Sequence, residues 1–243
     1  VIYFVTPAWQ RFELTAVVLE QRRHVIDWLY NRGVDAQCVV VADDANADTA
    51  KALGFDVLRR KNYALGRKFN DGIEYAALNG AEWIVPIGSD SFIDPSYLFP
   101  LPEPLVLRSS RLYALAEPGR LARLRVKTAM GAGPYMIPRS RLPSTLRPSA
   151  EYRKRGVDSS TIKGLRRGWT REMVDLHPWQ YVAFRREGGR AEGHPQLNSY
   201  NKLYGRLGVG EEYEVADRLG EFYPPRLVER ALAACSASVE VAA

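Results

Sequence analysis

Asp90 stands in Ser89-Asp90-Ser91, just after the apolar stretch Trp83-Ile84-Val85-Pro86-Ile87 and Gly88. A short unbroken apolar run fits a strand buried on both faces, and the polar residues that end it then lie at the carboxyl edge of an open sheet. That edge is where α/β proteins bind ligands, so a carboxylate there can meet a metal or a phosphate group. The same Ser-Asp-Ser also reads as a turn or a helix cap. A second acidic pair, Asp43-Asp44, closes another apolar run, Cys38-Val39-Val40-Val41. Carboxylates at two strand ends suit a nucleoside diphosphate. One can accept hydrogen bonds from a base or ribose, and the other can hold a divalent cation that neutralises the diphosphate.

The elements that must position these acids follow from the hydrophobic pattern. Strands are expected at 2–5, 38–41, 55–58 and 83–87, and helices at 13–30, 48–53 and 66–78, with Gly33, Gly54 and Gly80 as helix stops. Regular alternation of this kind predicts an α/β protein with a mostly parallel, Rossmann-like sheet, right-handed crossovers and helices on both faces. Three strand ends then deliver residues 6–11, Asp43-Asp44 and residues 88–91 to one crevice. No glycine occurs in Thr6-Pro7-Ala8-Trp9-Gln10-Arg11, which excludes a dinucleotide-binding or nucleotidyltransferase glycine loop there, and no P-loop motif occurs anywhere.

Beyond Pro95 the rhythm changes. Antiparallel strands are expected at 112–117 and 124–128 across Pro118-Gly119, a short strand at 135–137, and a late strand at 179–185. A helix is expected at 159–167, helical pieces over 212–234 broken at Pro224-Pro225, and a disordered tail from 236 onward.

A chain of 243 residues can bury one substantial core, so a single catalytic-sized domain is expected over 1–212, with 1–95 and 96–212 as its two halves and 213–243 as a helical segment and tail. No apolar run approaches the ~20 residues that span a bilayer, and residues 1–5 look like a strand rather than a leader. Two cysteines, Cys38 and Cys235, make neither a disulfide framework nor a zinc cluster, so a reducing cytoplasm is the expected compartment. The net charge of +6 is segregated: residues 108–190 hold 19 Lys/Arg against 6 Asp/Glu, or +13, between flanks of −4 and −3. A GC-rich genome accounts for Arg being 27 of the 34 basic residues, but not for the clustering. A basic block of this kind points to a polyanionic partner such as DNA. Arg166, Arg167 and the nearby Trp169 are its candidate contacts, the aromatic ring stacking on a base or simply packing in a core.

Four stretches of the first half carry a resemblance when taken together. They are Val5-Thr6-Pro7, Val41-Ala42-Asp43-Asp44, Leu65-Gly66-Arg67-Lys68-Phe69-Asn70-Asp71-Gly72 and Ile87-Gly88-Ser89-Asp90-Ser91. They resemble the GT-A fold of family-2-like glycosyltransferases, in particular small enzymes encoded by bacteriophages. The resemblance implies a GT-A (nucleotide-diphospho-sugar transferase) fold with a smaller antiparallel part on the acceptor side. It also implies that Thr6, Pro7, Arg11, Asp43, Asp44 and Ser89 hold the nucleotide sugar, with Lys68 and Asn70 near the nucleotide or diphosphate. A lysine on a helix is also commonly solvated. The donor implied is a UDP-sugar and the cofactor a divalent cation, Mn²⁺ or Mg²⁺. The family usually carries a second acid where this chain has Ser91, so the cation would lean on Asp90, the diphosphate and water.

The same resemblance sets expectations for the second half. Inverting transfer needs a base for the acceptor hydroxyl, and Asp158 in Gly156-Val157-Asp158-Ser159-Ser160 resembles its position. As Asp before Ser-Ser-Thr-Ile, Asp158 is also a good helix N-cap. Gly131 and Gly133 resemble the small residues that line an acceptor or sugar pocket, or else form a tight turn. His177 resembles a late metal or phosphate ligand, although a lone histidine is more often structural. The expected activity is sugar transfer from a nucleotide-diphosphate sugar to a hydroxyl, with a hydroxymethylated base in phage DNA as acceptor. A protein or glycan acceptor is the alternative, and a non-enzymatic nucleic-acid-binding module the third reading.

Overall fold

The computed structural model describes residues 1–43, 45–62, 64–103, 106–110, 112–117, 120–125, 132–141, 171–174, 180–184 and 214–236. The first strand, β1 (Ile2–Pro7), is buried along its whole length. It is followed by α1 (Phe12–Tyr30), β2 (Ala36–Ala42), α2 (Ala45–Ala52), β3 (Asp56–Arg59), α3 (Leu65–Leu78) and β4 (Trp83–Pro86). β1 pairs in parallel with β2 and β4, and β2 with β3. Burial of both faces explains why these strands read as continuous apolar runs rather than as alternating ones. Gly33 ends α1 at φ 73, a left-handed conformation that costs glycine least.

The large sheet continues past β4 through β9 (Ala132–Pro138), β6 (Leu107–Ser110) and β10 (Arg171–Val174), in the order β10-β6-β9-β4-β1-β2-β3. β9 runs antiparallel to β4 and β6. The chain steps outward from β1 through β2 to β3, then returns to the other side of β1 as β4. The reversal makes a topological switch point between β1 and β4, and ligands of open α/β sheets bind outside the strand ends at such a point.

A smaller sheet has the order β5-β11-β7-β8, with β5 (Ser91–Ile93), β11 (Tyr181–Phe184), β7 (Leu112–Glu117) and β8 (Arg120–Arg125). Its β7/β8 pair is antiparallel as expected, β5 pairs antiparallel with β11, and β11 and β7 run parallel. β8 lies earlier than the expected 124–128, because Glu117 pairs with Arg120 and leaves only Pro118-Gly119 between the strands. The expected short strand at 135–137 is the centre of β9, which also contains Gly133.

The C-terminal helices α4 (Val215–Gly220) and α5 (Pro225–Ser236) break where Pro224-Pro225 predicts, with Pro225 opening the second. They share a core with α1 and the small sheet, in which Val215, Leu219, Val228, Ala231 and Cys235 pack with Leu14, Val18, Phe92 and Phe184. Phe92 sits edge-on to Phe184 at 4.6 Å and tilted against Tyr223 at 5.2 Å. Such pairs add about 0.5–1.5 kcal/mol each beyond area burial. Among the described residues, no helix is long and apolar enough to cross a membrane. The helix expected at 159–167 and the tail at 237–243 lie outside the described residues.

Candidate active site

The loop after β1 is tied down from three directions. Lys68, only 2% exposed, donates from Nζ to the Ala8 carbonyl at 3.0 Å. Asn46, in the first turn of α2, donates to the Gln10 carbonyl at 3.2 Å. Arg11 donates to the Asp90 carboxylate, Nη1 to Oδ2, at 3.1 Å. Gln10 and Arg11 both take left-handed backbone conformations, at φ 52 and φ 50. Two adjacent non-glycine residues in that region store strain that the surrounding contacts must hold, a pattern found at ligand sites.

Burial of Lys68 rules out the alternative of a solvated lysine. Lys68, Gly72 and Ala76 recur every four residues on α3 and are all buried, so the lysine lies on the inner face of the helix. Gly72 lets α3 approach the sheet closely, because a Cβ there would come within 2.4 Å of Val5 Cγ1. The close approach brings the Lys68 ammonium beneath the β1 loop. Asn70, two residues on, is partly buried, and its Oδ1 lacks a hydrogen-bond partner among the described residues.

Asp90 lies across the switch point from Arg11. Its Oδ1 accepts from the Ser91 hydroxyl at 3.0 Å, and its backbone carbonyl accepts from the Phe184 N–H at 2.7 Å. Ser89 beside it is buried. The strand that follows, β5, is gripped from behind by α1: Gln21 donates to the Ile93 carbonyl at 2.8 Å and Arg22 to the Ser91 carbonyl at 3.2 Å. Arg22 is completely buried and lies over the Phe4 ring at 4.9 Å, and burial lowers its pKa to about 10. Neither Gln21 nor Arg22 figures among the sequence candidates. The signal was present, because both fall on the apolar stripe of α1 between Val18 and Val25, where a polar side chain needs an internal partner.

Asp43, at the end of β2, is exposed and accepts from the Asn62 N–H at 3.1 Å. Thr6 is fully buried and its hydroxyl faces the Cys38 thiol at 4.0 Å, so the side chain belongs to the core under the crevice. Burial pushes the Cys38 thiol up to about 12, and it remains protonated there. Pro7 is also buried, in register with Val41. The structure therefore brings Arg11, Asp43, Lys68, Ser89 and Asp90 to one end of the parallel sheet. Asp44, Gly131, Asp158, Arg166, Arg167, Trp169 and His177 lie outside the described residues.

The donor set suits a cation that arrives with its substrate. Among the described residues, no group of three His, Cys, Asp or Glu side chains could hold a metal by itself. A Mg²⁺-like ion typically needs one or two carboxylates together with substrate phosphates and water, and Asp90 at the crevice supplies the carboxylate.

No protein-family model matches the chain, and no curated protein matches it. Solved structures do. The catalytic domain of Drosophila beta1,4galactosyltransferase 7, in complex with xylobiose, matches at a TM-score of 0.51 and 14% identity over 83% of this chain and 79% of that one. Residues 1–349 of S. aureus TarS match at 0.55 and 12% identity, over 75% of this chain and 60% of that one. A mutant of the Drosophila protein with manganese, UDP-Gal and xylobiose matches at 0.50 and 15% identity, over 71% and 63%. The chain shares the mixed α/β GT-A fold of these proteins.

Proposed function

We propose that this chain is a glycosyltransferase that moves a sugar from a nucleotide-diphosphate sugar to a hydroxyl acceptor with inversion. The observation that carries the reading is the meeting of Arg11 and Asp90 at the β1/β4 switch point, above the buried Lys68, with Asp43 at the end of the neighbouring β2. Arg11 offers a charge-assisted contact to the diphosphate, and the exposed Asp43 carboxylate accepts hydrogen bonds from the base or ribose. Lys68 fixes the loop that carries Arg11. A divalent cation, when bound, would be held by Asp90 and offset the charge on the departing diphosphate. The Drosophila neighbour with manganese and UDP-Gal supports a UDP-sugar and a cation as its ligands.

Asp158 is the proposed base. Its carboxylate takes the acceptor hydroxyl proton as the new oxygen–carbon bond forms at the anomeric carbon. The bond to the diphosphate oxygen breaks from the opposite side, and its electron pair leaves with the nucleotide. The +13 block at 108–190 supports DNA bearing a hydroxymethylated base as acceptor, with Arg166, Arg167 and Trp169 as contacts and Gly131 and Gly133 beside the acceptor. A glycan or protein acceptor is the second reading, favoured by the xylobiose bound to the Drosophila neighbour.

The test incubates the protein and Mn²⁺ with a panel of nucleotide sugars. Each receives either DNA containing 5-hydroxymethylcytosine or 5-hydroxymethyluracil, or oligosaccharides, and the products are weighed by mass spectrometry. A hexose or pentose adduct on the modified base establishes the DNA reading, and an adduct confined to the oligosaccharide establishes the second. No adduct and no sugar hydrolysis with any donor would contradict the transferase itself.

A further inference from the structure

The Asp90 carboxylate is met by one neighbour across the crevice and by another beside it. Arg11 holds Oδ2 while the Ser91 hydroxyl holds Oδ1. The carboxylate is folded back over Gly88, where a Cβ would come within 2.6 Å of Oδ1. The backbone leading to Arg11 is held by Lys68 at Ala8 and Asn46 at Gln10, and α1 begins directly after it, so the mobile part of the pair is the Arg11 side chain. The pair is 42% exposed on the arginine side and 13% on the aspartate side. A pair exposed to that extent is weak, and a diphosphate offers a guanidinium more charge and two acceptor groups. Arg11 also stands at the N-cap of α1, where no side chain caps the helix, and a helix N-terminus favours an anion.

We propose that the Arg11–Asp90 pair is a latch opened by the donor: the diphosphate takes the Arg11 guanidinium, and only then is the Asp90 carboxylate open to a divalent cation. The latch rests on the donor reading given above. Its consequence is an order of binding. A cation alone must compete with Arg11 for Oδ2, whereas a cation reaching the nucleotide-bound protein finds that oxygen no longer held by Arg11. The latch also makes metal-free nucleotide binding weaker than it would otherwise be, because the nucleotide must first part the pair.

The test is a double-mutant cycle on UDP binding, by calorimetry with chelator present, in the wild type, Asp90→Asn, Arg11→Gln and the double variant. Asp90→Asn removes repulsion toward the diphosphate in both backgrounds, but frees a guanidinium only where Arg11 is intact. The latch predicts that Asp90→Asn tightens UDP binding about two- to fivefold more in the wild-type background than beside Arg11→Gln. Equal effects in the two backgrounds would overturn it. A second measurement titrates Mn²⁺ alone by electron paramagnetic resonance, where Arg11→Gln should bind it tighter than the wild type, and unchanged affinity would count against the latch. Arg11→Lys runs alongside both, should the glutamine variant fold poorly. If UDP fails to bind the wild type with or without Mn²⁺, the donor reading itself falls, a result distinct from equal effects in the cycle.

Discussion

The two strand ends that flank the crevice are built in opposite ways. At the β1/β4 end the loop and strand are tied to other elements: Ala8 to α3, Gln10 to α2, Arg11 to Asp90, and β5 to the inner face of α1. At the β2 end Asp43 is exposed, and among the described residues its carboxylate accepts from one backbone N–H, that of Asn62. The difference teaches where precision is needed. Charge developing on a leaving diphosphate is best met by groups already in place, since reorganising them during reaction costs rate. Recognition of a base or ribose tolerates a carboxylate that adjusts. On this view the tied end couples stability to function, and the open end separates them.

The largest expected effect lies between the two groups that face each other across the tied end. Asp90→Asn should lower turnover in Mn²⁺ by roughly two to three orders of magnitude while the thermal midpoint hardly moves, since the pair it breaks is partly exposed. Near-normal turnover of this variant would remove Asp90 from the chemistry.

Lys68→Met should break the coupling from below. It leaves the Ala8 carbonyl without its buried donor, at a cost of about 1–3 kcal/mol, and frees the strained loop. Chemical denaturation should show the lost stability, and calorimetry should show UDP affinity falling with it by about tenfold or more. A variant that lost stability but bound UDP normally would show the tie to be structural alone.

Asp43→Ala should do the reverse. Its carboxylate is exposed, so the denaturation midpoint should stay within experimental error, while UDP affinity falls by about three- to tenfold, in keeping with one lost hydrogen bond to a charged group. A large stability loss would contradict the open-end description.

The smallest effect marks the back of α1, away from the crevice. Arg230 donates to both Glu20 oxygens, one contact at 2.8 Å, and that hydrogen bonding holds the Glu20 carboxyl below its usual range. A lowered carboxylate contributes stability above the pKa of the unfolded chain, and loses it as pH falls through the lower folded value. Glu20→Gln should therefore cost less than about 1 kcal/mol near neutral pH, with the difference vanishing in acid and donor binding unchanged.

How much of this was legible in the sequence depended on whether a residue's partner was local. The parallel strands declared themselves because burial on both faces leaves unbroken apolar runs, and glycine stops such as Gly33 mark where helices must end. β6 and β10 escaped notice because Leu-Arg-Ser-Ser and Arg-Glu-Met-Val carry neither an apolar run nor clear alternation. β5 was hidden inside one apolar stretch, since three residues pairing with β11 leave no period to read. The candidates Arg11 and Asp90 were legible as residue types, but 79 positions separate them, and no local pattern announces that they meet. Lys68 could be read either way until the approach of α3 at Gly72 put it inside.

The central claim is that the ends of β1, β2 and β4 form one donor site. Hydrogen–deuterium exchange of the whole chain, with and without a saturating UDP-sugar and Mn²⁺, tests it most directly. Slowed exchange should be confined to three stretches, residues 6–14, 42–47 and 87–93, and Asp90→Asn should weaken the protection at 87–93 most. Protection that fell elsewhere and left all three stretches unchanged would contradict the account.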